Sequence, residues 1–419
     1  MADKSPDFLV RPFAALRPAP QYAQEVAAPP YDVLDSDEAR ALAAGKRWSF
    51  LHISKPEIDL APGTDPHSNE AYATAAQNMR GMLASGVIRK DAAPAYYVYR
   101  VQMGEHVQTG IAAAGSVDAY EANLIRRHEL TRPDKEDDRV RQILAVEAHT
   151  GPVFCFHAPS GLIGAVINKA MESAPAYSVT GAGGVVHTLW VVSDHAACEA
   201  VTNAFASQGV IYIADGHHRS AAAARTRAER RKANPAHTGQ EPYNSFLVMS
   251  FPADEVKILD YNRVVRDLNG LSPEALLQKL ETDFTVEPTA TAAKPAAPRR
   301  FGLYLAGAWY SLGLKDGRDA NLSPVDRLDV SLLTRHVLTP LLGIGDPRTD
   351  ARIDFVGGIR GMAELEKRVN SGAWAAAFAL YPTSIEDLKA VADANQIMPP
   401  KSTWFEPKLA DGLVSLPLD

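Results

Sequence analysis

The chain has 419 residues, 46% of them hydrophobic and 22% charged, a globular composition long enough for about two or three domains. With 43 basic and 50 acidic side chains the formal net charge is −7, which disfavours nucleic-acid binding and leaves only a local basic face open. Residues 1–12 lack the apolar core of a signal peptide, no run approaches the roughly 18 apolar residues of a membrane span, and two cysteines do not make a disulfide framework, so we expect a soluble cytoplasmic protein.

Helices are predicted where apolar residues recur at helical spacing, often between a capping residue and a glycine. In chain order they cover residues 36–44, 68–85, 140–146, 161–173, 195–207, 220–231, 272–280, 331–342, 362–369 and 384–395. Strands are predicted where β-branched and aromatic residues cluster between turn residues. In chain order they cover residues 49–54, 95–103, 108–117, 151–156, 188–192, 210–213, 244–251, 256–260, 300–305, 309–314, 353–356 and 374–380.

The interleaving of these elements predicts an α+β (mixed α/β) fold. We expect hairpins at 95–117 and 300–314, and pairing between the strands at 244–251 and 256–260. The Ala/Pro-rich residues 289–298 form either an interdomain linker or a long surface loop. We place one domain at 1–285 and a smaller one at 299–419, whose tail could return to the site of the first.

The N-terminal part of the chain is rich in proline between residues 8 and 34, which favours extended chain with turns. Its motif Pro29-Pro30-Tyr31-Asp32 has two interpretations. It is either a rigid loop that presents Tyr31 and Asp32, or a surface segment that packs Tyr31 on the core, which we favour slightly.

The stretch most suggestive of function is Asp215-Gly216-His217-His218-Arg219, which follows a short apolar strand and precedes an Ala-rich helix. The first turn of a helix has unpaired backbone N–H groups and a positive dipole end, so it suits an anion. Gly216 would let the backbone approach a phosphate, and Arg219 would supply a charged fork. Asp215 could cap the helix, hold Arg219 or bind a divalent cation.

The two adjacent histidines admit a second interpretation, a capped helix with solvated imidazoles. A zinc site made of the pair is disfavoured, because neighbouring helical residues point about 100° apart and zinc pairs on helices use a spacing of about four. We favour phosphate binding, with His217 among the phosphate ligands and His218 as a catalytic residue.

A second charged segment runs from Arg126 to Arg139. In a functional interpretation His128 or Glu129 is the general base toward a substrate hydroxyl. Phosphate charge would be neutralised by three cations, Arg132, Lys135 and Arg139. A magnesium ion would be bound by Asp134 or Asp138. The alternative is a solvated charged loop and helix start, and the sequence does not decide between them.

A third candidate is Lys401, which stands beside Ser402 and Thr403. This loop could bind an anion through its hydroxyl and ammonium groups. The following Trp404 and Phe405 are better explained as anchors of the tail. No Walker-type phosphate loop and no Gly-x-Ser-x-Gly motif is present.

The motif Ala214-Asp-Gly-His-His-Arg219 resembles the signature of the ParB/sulfiredoxin-like superfamily. That resemblance implies a core that binds nucleotide phosphates at this turn. Within the superfamily the motif is similar to that of archaeal free-serine kinases, which implies ADP- or ATP-dependent phosphorylation of a free amino acid. Sulfiredoxin chemistry is excluded, since His217 stands where sulfiredoxin has its nucleophilic cysteine. The partition-protein branch has basic DNA-binding helices with no obvious counterpart here.

A closer resemblance covers nearly the whole chain and rests on four motifs. They are Pro29-Pro-Tyr-Asp-Val33, Arg127-His-Glu-Leu-Thr131 with Asp138-Arg139, Ala214 to Arg219, and Pro399-Pro-Lys-Ser-Thr-Trp-Phe-Glu-Pro-Lys408. Together they are similar to domain-of-unknown-function family 1015. That family carries no settled activity to transfer.

These observations favour a phosphotransferase that uses ATP or ADP with Mg²⁺ and acts on a small hydroxyl-bearing metabolite. The alternative is a nucleotide-binding sensor or regulatory protein without catalysis. The sequence leaves the substrate, the choice of nucleotide and the oligomeric state open.

Overall fold

A computed structural model describes residues 6–419. The segment 1–12, for which no signal peptide was predicted, therefore lies partly outside the described residues. The chain divides into two compact units, one running to Val256 and including Pro407–Asp419, the other Lys257–Glu406. The predicted boundary at 286–299 falls inside the second unit. Both units combine helices with sheets, which confirms the α+β (mixed α/β) fold.

The first unit is built on a mixed sheet. The strands of the first unit, in chain order, are β1 Val10–Arg11, β2 Leu16–Pro18, β3 Ile88–Lys90, β4 Tyr96–Met103, β5 His106–Ser116, β6 Ile125–Arg126, β7 Ala148–His149, β8 Val153–His157, β9 Tyr177–Thr180, β10 Val186–Val192, β11 Ile211–Asp215 and β12 Ser245–Pro252. The main sheet has the order β6-β11-β8-β12-β5-β4-β10-β9, with β1 also beside β5. Strand β11 pairs parallel with β6 and antiparallel with β8.

The helices of the first unit are α1 Ala23–Val26, α2 Ser36–Ala43, α3 Leu51–Ser54, α4 Asn69–Ala84, α5 Val117–Glu121, α6 Pro133–Val146, α7 Gly161–Met171, α8 His195–Gln208 and α9 His217–Ala233. Capping side chains fix several starts: Ser68 accepts from the Ala71 N–H, and Asp194 from the Ala197 N–H. Helix α6 packs on α9 through an apolar cluster that joins Val140 and Ile143 to Ala222.

The second unit has a sheet of order β15-β17-β16-β19-β14-β18 and a short pair, β13 with β20. Its strands are β13 Lys257–Leu259, β14 Tyr261–Val265, β15 Phe284–Thr289, β16 Arg300–Leu305, β17 Ala308–Leu314, β18 Ile353–Gly357, β19 Ala376–Ala379 and β20 Trp404–Glu406. Its helices are α10 Pro273–Leu280, α11 Asp329–Leu333, α12 Met362–Asn370 and α13 Ile385–Asp393.

The last residues of the chain return to the first unit. Strand β21, Leu416–Pro417, pairs antiparallel with β7. Isolated bridges join Leu16 to Ser415 and Ala28 to Asp411. The backbone of Asp411 donates to the Ala28 carbonyl at 2.9 Å and accepts from the Ala28 N–H at 3.2 Å. This tail therefore lies beside the proline-rich N-terminal segment.

Two predictions about elements are wrong. Residues 49–54 were expected to form a strand, but their second part is helix α3. The strands predicted at 244–251 and 256–260 do not pair with each other: β12 pairs with β5 and β8, and β13 pairs with β20. The hairpins β4–β5 and β16–β17 are confirmed.

Both cysteines are buried and free, as expected for a chain without a disulfide framework. No helix within residues 6–419 combines the length and the apolar character needed to cross a bilayer.

Candidate active site

The predicted strand, turn and helix are present at β11, Gly216 and α9. Gly216 has φ 99°, a left-handed conformation that glycine adopts without a steric penalty. A Cβ at this position would lie 3.3 Å from the Cα of Val153 on β8. The glycine thus permits both the turn and the close approach of the neighbouring strand. The N–H groups that open α9 have no acceptor within the helix.

Asp215 holds this turn together from one side. Its Oδ1 accepts from the Gly216 N–H at 2.8 Å, and its Oδ2 lies 3.0 Å from the Nζ of Lys408. Burial alone would raise the pKa of Asp215, but Lys408 and Arg219 outweigh it and hold that pKa below its usual range. The carboxylate is therefore ionised and is tied to a lysine from the tail.

Arg219 is oriented by two acceptors. One Nη donates to the Pro152 carbonyl at 2.6 Å and the other to Asp32 Oδ2 at 2.9 Å. Burial alone would lower the pKa of Arg219, but Asp32 and Tyr31 raise it, so the guanidinium stays charged. Two of its N–H groups are engaged, and the rest of the fork can serve an anion.

The N-terminal motif completes this side of the site. The guanidinium of Arg139 lies 3.8 Å from the ring centroid of Tyr31, and that of Arg219 lies 5.7 Å from it. Asp32, in the next position, makes the ion pair with Arg219. The motif thus packs Tyr31 inward, as the favoured interpretation expected, while it also presents Asp32 to the site.

Asp138, predicted as a magnesium ligand, is buried and already has donors on both oxygens. Its Oδ1 accepts from the Tyr72 hydroxyl at 2.7 Å and lies 2.8 Å from the Nδ1 of His67. Its Oδ2 accepts from Arg139 at 2.8 Å and 2.5 Å. This geometry makes Asp138 an anchor for Arg139.

The structure brings His128 and His217 together. Their ring centroids are 4.4 Å apart, and the His217 Nε2 accepts from the His128 backbone N–H at 3.3 Å. Burial lowers the pKa of each ring to about 3, so both are neutral at physiological pH. Neither ring nitrogen of His128 has a hydrogen-bond partner of good geometry among the described residues. A buried ring with so low a pKa is a weak general base.

Glu129 is the more accessible of the two predicted bases. Its side chain is 33% exposed, and its Oε2 lies 3.5 Å from the Nδ1 of His217. Since the His217 Nε2 accepts a hydrogen bond, the proton of the neutral ring belongs on Nδ1, which faces Glu129. The Nδ1–H side of His217 therefore faces Glu129, at a separation longer than a direct hydrogen bond.

The loop before α6 is also held at its far end. The His218 Nε2 accepts from the Arg132 N–H at 3.1 Å. The Arg132 side chain pairs with Asp134 at 2.8 Å on the surface, and Lys135 is exposed. The loop at 128–132 and the turn thus form one cluster, while Asp134 and Lys135 lie on its exposed rim.

Lys401 lies in the second unit. Its carbonyl accepts from the buried Arg263 at 2.9 Å, and its Nζ lies 5.8 Å from the ring centroid of Tyr261. Arg263 also donates to the Pro400 carbonyl, at 3.3 Å, so it fixes the backbone of this loop. A ligand role for Lys401 stays a prediction.

The first unit also contains a residue that sequence reasoning missed. Asp411 is 1% exposed, and its Oδ1 has no hydrogen-bond partner among the described residues. Burial raises the pKa of Asp411 to about 7, although Arg219 and Arg139 act in the opposite direction. The available signal was a lone carboxylate within the apolar run from Leu409 to Leu418.

Within residues 6–419, no group of three or more histidine, cysteine, aspartate or glutamate side chains could hold a metal ion. The residues predicted for magnesium do not by themselves form a ligand set.

The sequence matches the model of a family described as a protein of unknown function, DUF1015, over residues 10–331. The chain belongs to the DUF1015 family. This membership confirms the resemblance to family 1015, although the match ends before the motif Pro399 to Lys408. Comparison with curated proteins gave no match.

Several solved structures are similar to this DUF1015 protein. A free serine kinase in complex with AMP is 11% identical, with 73% of this chain and 92% of that chain covered and a TM-score of 0.33. SbnI with C-terminal truncation from Staphylococcus aureus is 14% identical, with 76% and 89% covered and a TM-score of 0.37. A conserved hypothetical protein from Pyrococcus furiosus is 11% identical, with 73% and 95% covered and a TM-score of 0.33. We infer no activity from similarity at this level.

Proposed function

We propose that this DUF1015 protein binds a nucleoside di- or triphosphate at the Asp215–Arg219 turn and transfers a phosphoryl group to a small hydroxyl-bearing metabolite. Free serine is the first metabolite to test, because the Asp-Gly-His-His-Arg motif is similar to that of free-serine kinases. The main support is the turn itself. It places a glycine at φ 99°, the open end of a 17-residue helix and the charged fork of Arg219 at one point.

Three groups would hold the phosphates. They are the N–H groups of the first turn of α9, the free part of the Arg219 fork, and Lys408, which already lies beside Asp215. The positive charges of Arg132 and Lys135, on the exposed rim, would attract the anionic ligand as it approaches. Positioning and charge neutralisation supply most of the catalysis in phosphoryl transfer.

Glu129 is the proposed general base. The substrate oxygen forms a bond to phosphorus, the bond from phosphorus to the leaving nucleotide oxygen breaks, and the hydroxyl proton passes to the Glu129 carboxylate. The Nδ1–H side of His217 faces that carboxylate, and His218 holds the loop through the Arg132 N–H. The buried His128 packs beneath His217.

ATP or ADP with Mg²⁺ is the proposed cofactor. The ion would neutralise phosphate charge when it arrives with the nucleotide. Asp134 is the better placed of the two predicted ligands, because its present partner is Arg132 at the surface. Asp138 is a poor candidate, since both of its oxygens already accept hydrogen bonds.

Nucleotide binding is tested by thermal shift with ATP and ADP, with and without Mg²⁺. A ligand at 100 times its Kd stabilises the native state by about 2.7 kcal/mol, and the shift should grow with concentration. Arg219→Ala should abolish the shift, and Arg219→Lys should keep part of it. Arg231→Ala, which removes the same charge from the exposed far end of α9, should leave it unchanged. An unaltered shift in Arg219→Ala would contradict the assignment of the site.

A nucleotide-binding sensor without catalysis is the second candidate. The observation that favours it is that two cations near the turn already form ion pairs with carboxylates, Arg219 with Asp32 and Lys408 with Asp215. A ligand that breaks these pairs would change contacts within the first unit without any transfer. Mass spectrometry of mixtures of ATP or ADP with serine and other hydroxyl metabolites separates the two, because only the enzyme forms a phosphorylated product. Glu129→Gln should lose product and keep the thermal shift.

A further inference from the structure

Asp411 is fixed in place by its backbone. Its N–H and carbonyl both bond to Ala28, and the next residue, Gly412, has φ 86°. A Cβ at Gly412 would lie 2.7 Å from Phe50, so the turn that follows Asp411 requires glycine. The backbone of Asp411 is therefore fixed, and its side chain lies in a buried position that is 1% exposed.

Asp411 and Arg219 share one confined space. A Cβ at Gly151 would lie 3.4 Å from the Cδ of Arg219 and 3.6 Å from the Oδ1 of Asp411. The absence of a side chain at Gly151 thus leaves room for both groups. Despite this proximity, the Oδ1 of Asp411 makes no hydrogen bond among the described residues. Arg219 instead donates to Asp32 and Pro152.

The charged and titratable groups that face Asp411 come from several elements. They are Asp32 and Tyr31 with its backbone N–H from the N-terminal motif, Arg139 from α6, Arg219 from α9, and Tyr99 from β4. Arg139 already pairs with Asp138, and Arg219 with Asp32. An ionised Asp411 therefore adds a third carboxylate to two arginines, whereas a protonated Asp411 leaves these charges balanced.

We propose that Asp411 couples anion binding at Arg219 to the uptake of one proton, so that the ligand binds to the form in which Asp411 is a neutral carboxylic acid. The proton passes from solvent to a carboxyl oxygen of Asp411, and no covalent bond to the ligand is involved. The coupling rests on the proposed anion site. Its physical cause is repulsion, because a bound phosphate and an ionised Asp411 would both compete for the charge of Arg219.

Such coupling requires a group that titrates near physiological pH, and burial raises the pKa of Asp411 to about 7 in the free protein. A neighbouring phosphate raises it further by adding negative charge. At pH 8 the free protein is then mostly ionised at Asp411 and the complex mostly protonated. One proton taken up per ligand weakens binding by up to about tenfold for each pH unit between the pKa of Asp411 in the free protein and its pKa in the complex.

The test is calorimetric titration with ADP in the absence of Mg²⁺ at pH 8, in two buffers of different ionisation enthalpy. The terminal phosphate of ADP is ionised at that pH, so proton uptake reports on the protein. Wild-type protein should take up a proton on binding, and its Kd should rise by up to about tenfold between pH 8 and pH 9. Asp411→Asn should take up none and bind with a Kd that is independent of pH over this range.

Asp32→Asn is the matched control, because it also removes a carboxylate near Arg219 but leaves Asp411 in place. Because Asp32 also raises the pKa of Asp411, this variant should keep a pH-dependent Kd for ADP, with the dependence moved to lower pH. ADP binding to wild-type protein without proton uptake would overturn the coupling alone, and this measurement does not depend on the folding of a variant. The same pH dependence in Asp411→Asn would also overturn it. Failure of wild-type protein to bind any nucleotide would overturn the proposed function and the coupling together.

Discussion

Gly216 is the residue on which the shape of the anion turn depends. Replacing it by alanine forces an L-residue into φ 99° and brings a Cβ to within 3.3 Å of the Val153 backbone. The left-handed conformation alone costs about 1–2 kcal/mol for a residue with a Cβ. The contact with β8 adds to that cost, since backbone cannot move aside as a flexible side chain can.

We therefore expect Gly216→Ala to lower the free energy of unfolding by about 1 kcal/mol more than Gly239→Ala. Gly239 has a similar φ of 93° but nothing within 4 Å of its Cβ position, so it isolates the conformational part. Urea unfolding followed by circular dichroism gives both values. Equal losses in the two variants would show that β8 does not constrain the turn.

Two carboxylates of the site, Asp215 and Asp411, show how the surroundings set the charge of a residue. Asp215 faces Lys408 and Arg219, which keep its pKa low. Asp411 is more deeply enclosed and has an Oδ1 without a partner, so burial prevails and its pKa is high. The same residue type therefore supplies a fixed charge in one position and a titratable group in the other.

At the scale of elements, helix α9 and the loop before α6 are joined by two imidazole acceptors. The His217 Nε2 accepts from the His128 N–H and the His218 Nε2 from the Arg132 N–H. These bonds connect the helix start to a loop whose Leu130 side chain is exposed to solvent. The loop that carries Glu129 thus takes its position from α9.

His218→Ala should release the far end of this loop. Hydrogen exchange at the Arg132 amide should then become faster, while exchange at the His128 amide, which His217 still accepts from, changes little. His195→Ala is the control, because His195 is exposed on α8 and pairs only loosely with Glu199 at 3.5 Å. Exchange at Arg132 that is unchanged in His218→Ala would mean that the loop is held by other contacts.

Many of the helices and strands could be predicted from the sequence, and the wrong predictions have identifiable physical causes. Helices α4 and α10 follow a serine cap and run long enough to show helical spacing, so their predictions are confirmed. Residues 49–54 are too few for helical and strand periods to differ, and β-branched Ile53 misled the prediction. Strands β12 and β13 are neighbours in sequence, but each finds its partners far along the chain.

Some parts of the candidate site could likewise be predicted from the sequence, and others could not. The Asp215–Arg219 turn was found because strand, glycine and helix are local signals. Asp411 and the Asp215–Lys408 pair were missed, since they depend on the return of the tail to the first unit, which no local pattern fixes. The loop at 128–132 could be listed as a candidate, but its contacts with both histidines required the packing of α6 on α9.

At the scale of the whole molecule, the described part of the first unit buries five neutral histidines. Burial lowers the pKa to about 3 for His128 and His217, and to about 4 for His149, His157 and His187. The unfolded chain binds protons at these positions below about pH 6.5. Protons therefore favour the unfolded state, and the stability present above pH 6.5 is lost as pH falls toward 4.

Asp411 acts with the opposite sign. Its folded pKa of about 7 lies above the ordinary value, so the folded state gains a proton first and Asp411 favours folding as pH falls from 7. At pH 5 each buried histidine costs roughly 2 kcal/mol, and Asp411 returns an amount of similar size. Asp329 in the second unit, whose pKa burial also raises to about 7, acts with the same sign as Asp411. Five histidines outweigh these two carboxyl groups, so the net effect of acid is destabilising.

We expect the urea midpoint to fall steadily between pH 7 and pH 5, well above the range in which ordinary carboxylates titrate. Replacing one of the five, as in His157→Gln, should make the fall less steep, because the side chain that must be protonated in the unfolded state is gone. His195→Gln should leave the slope unchanged, since the side chain of His195 is 87% exposed. A midpoint that stays constant from pH 7 to pH 5 would mean that these histidines are solvated in the native protein, and the closed packing around His128 and His217 would then have to be abandoned.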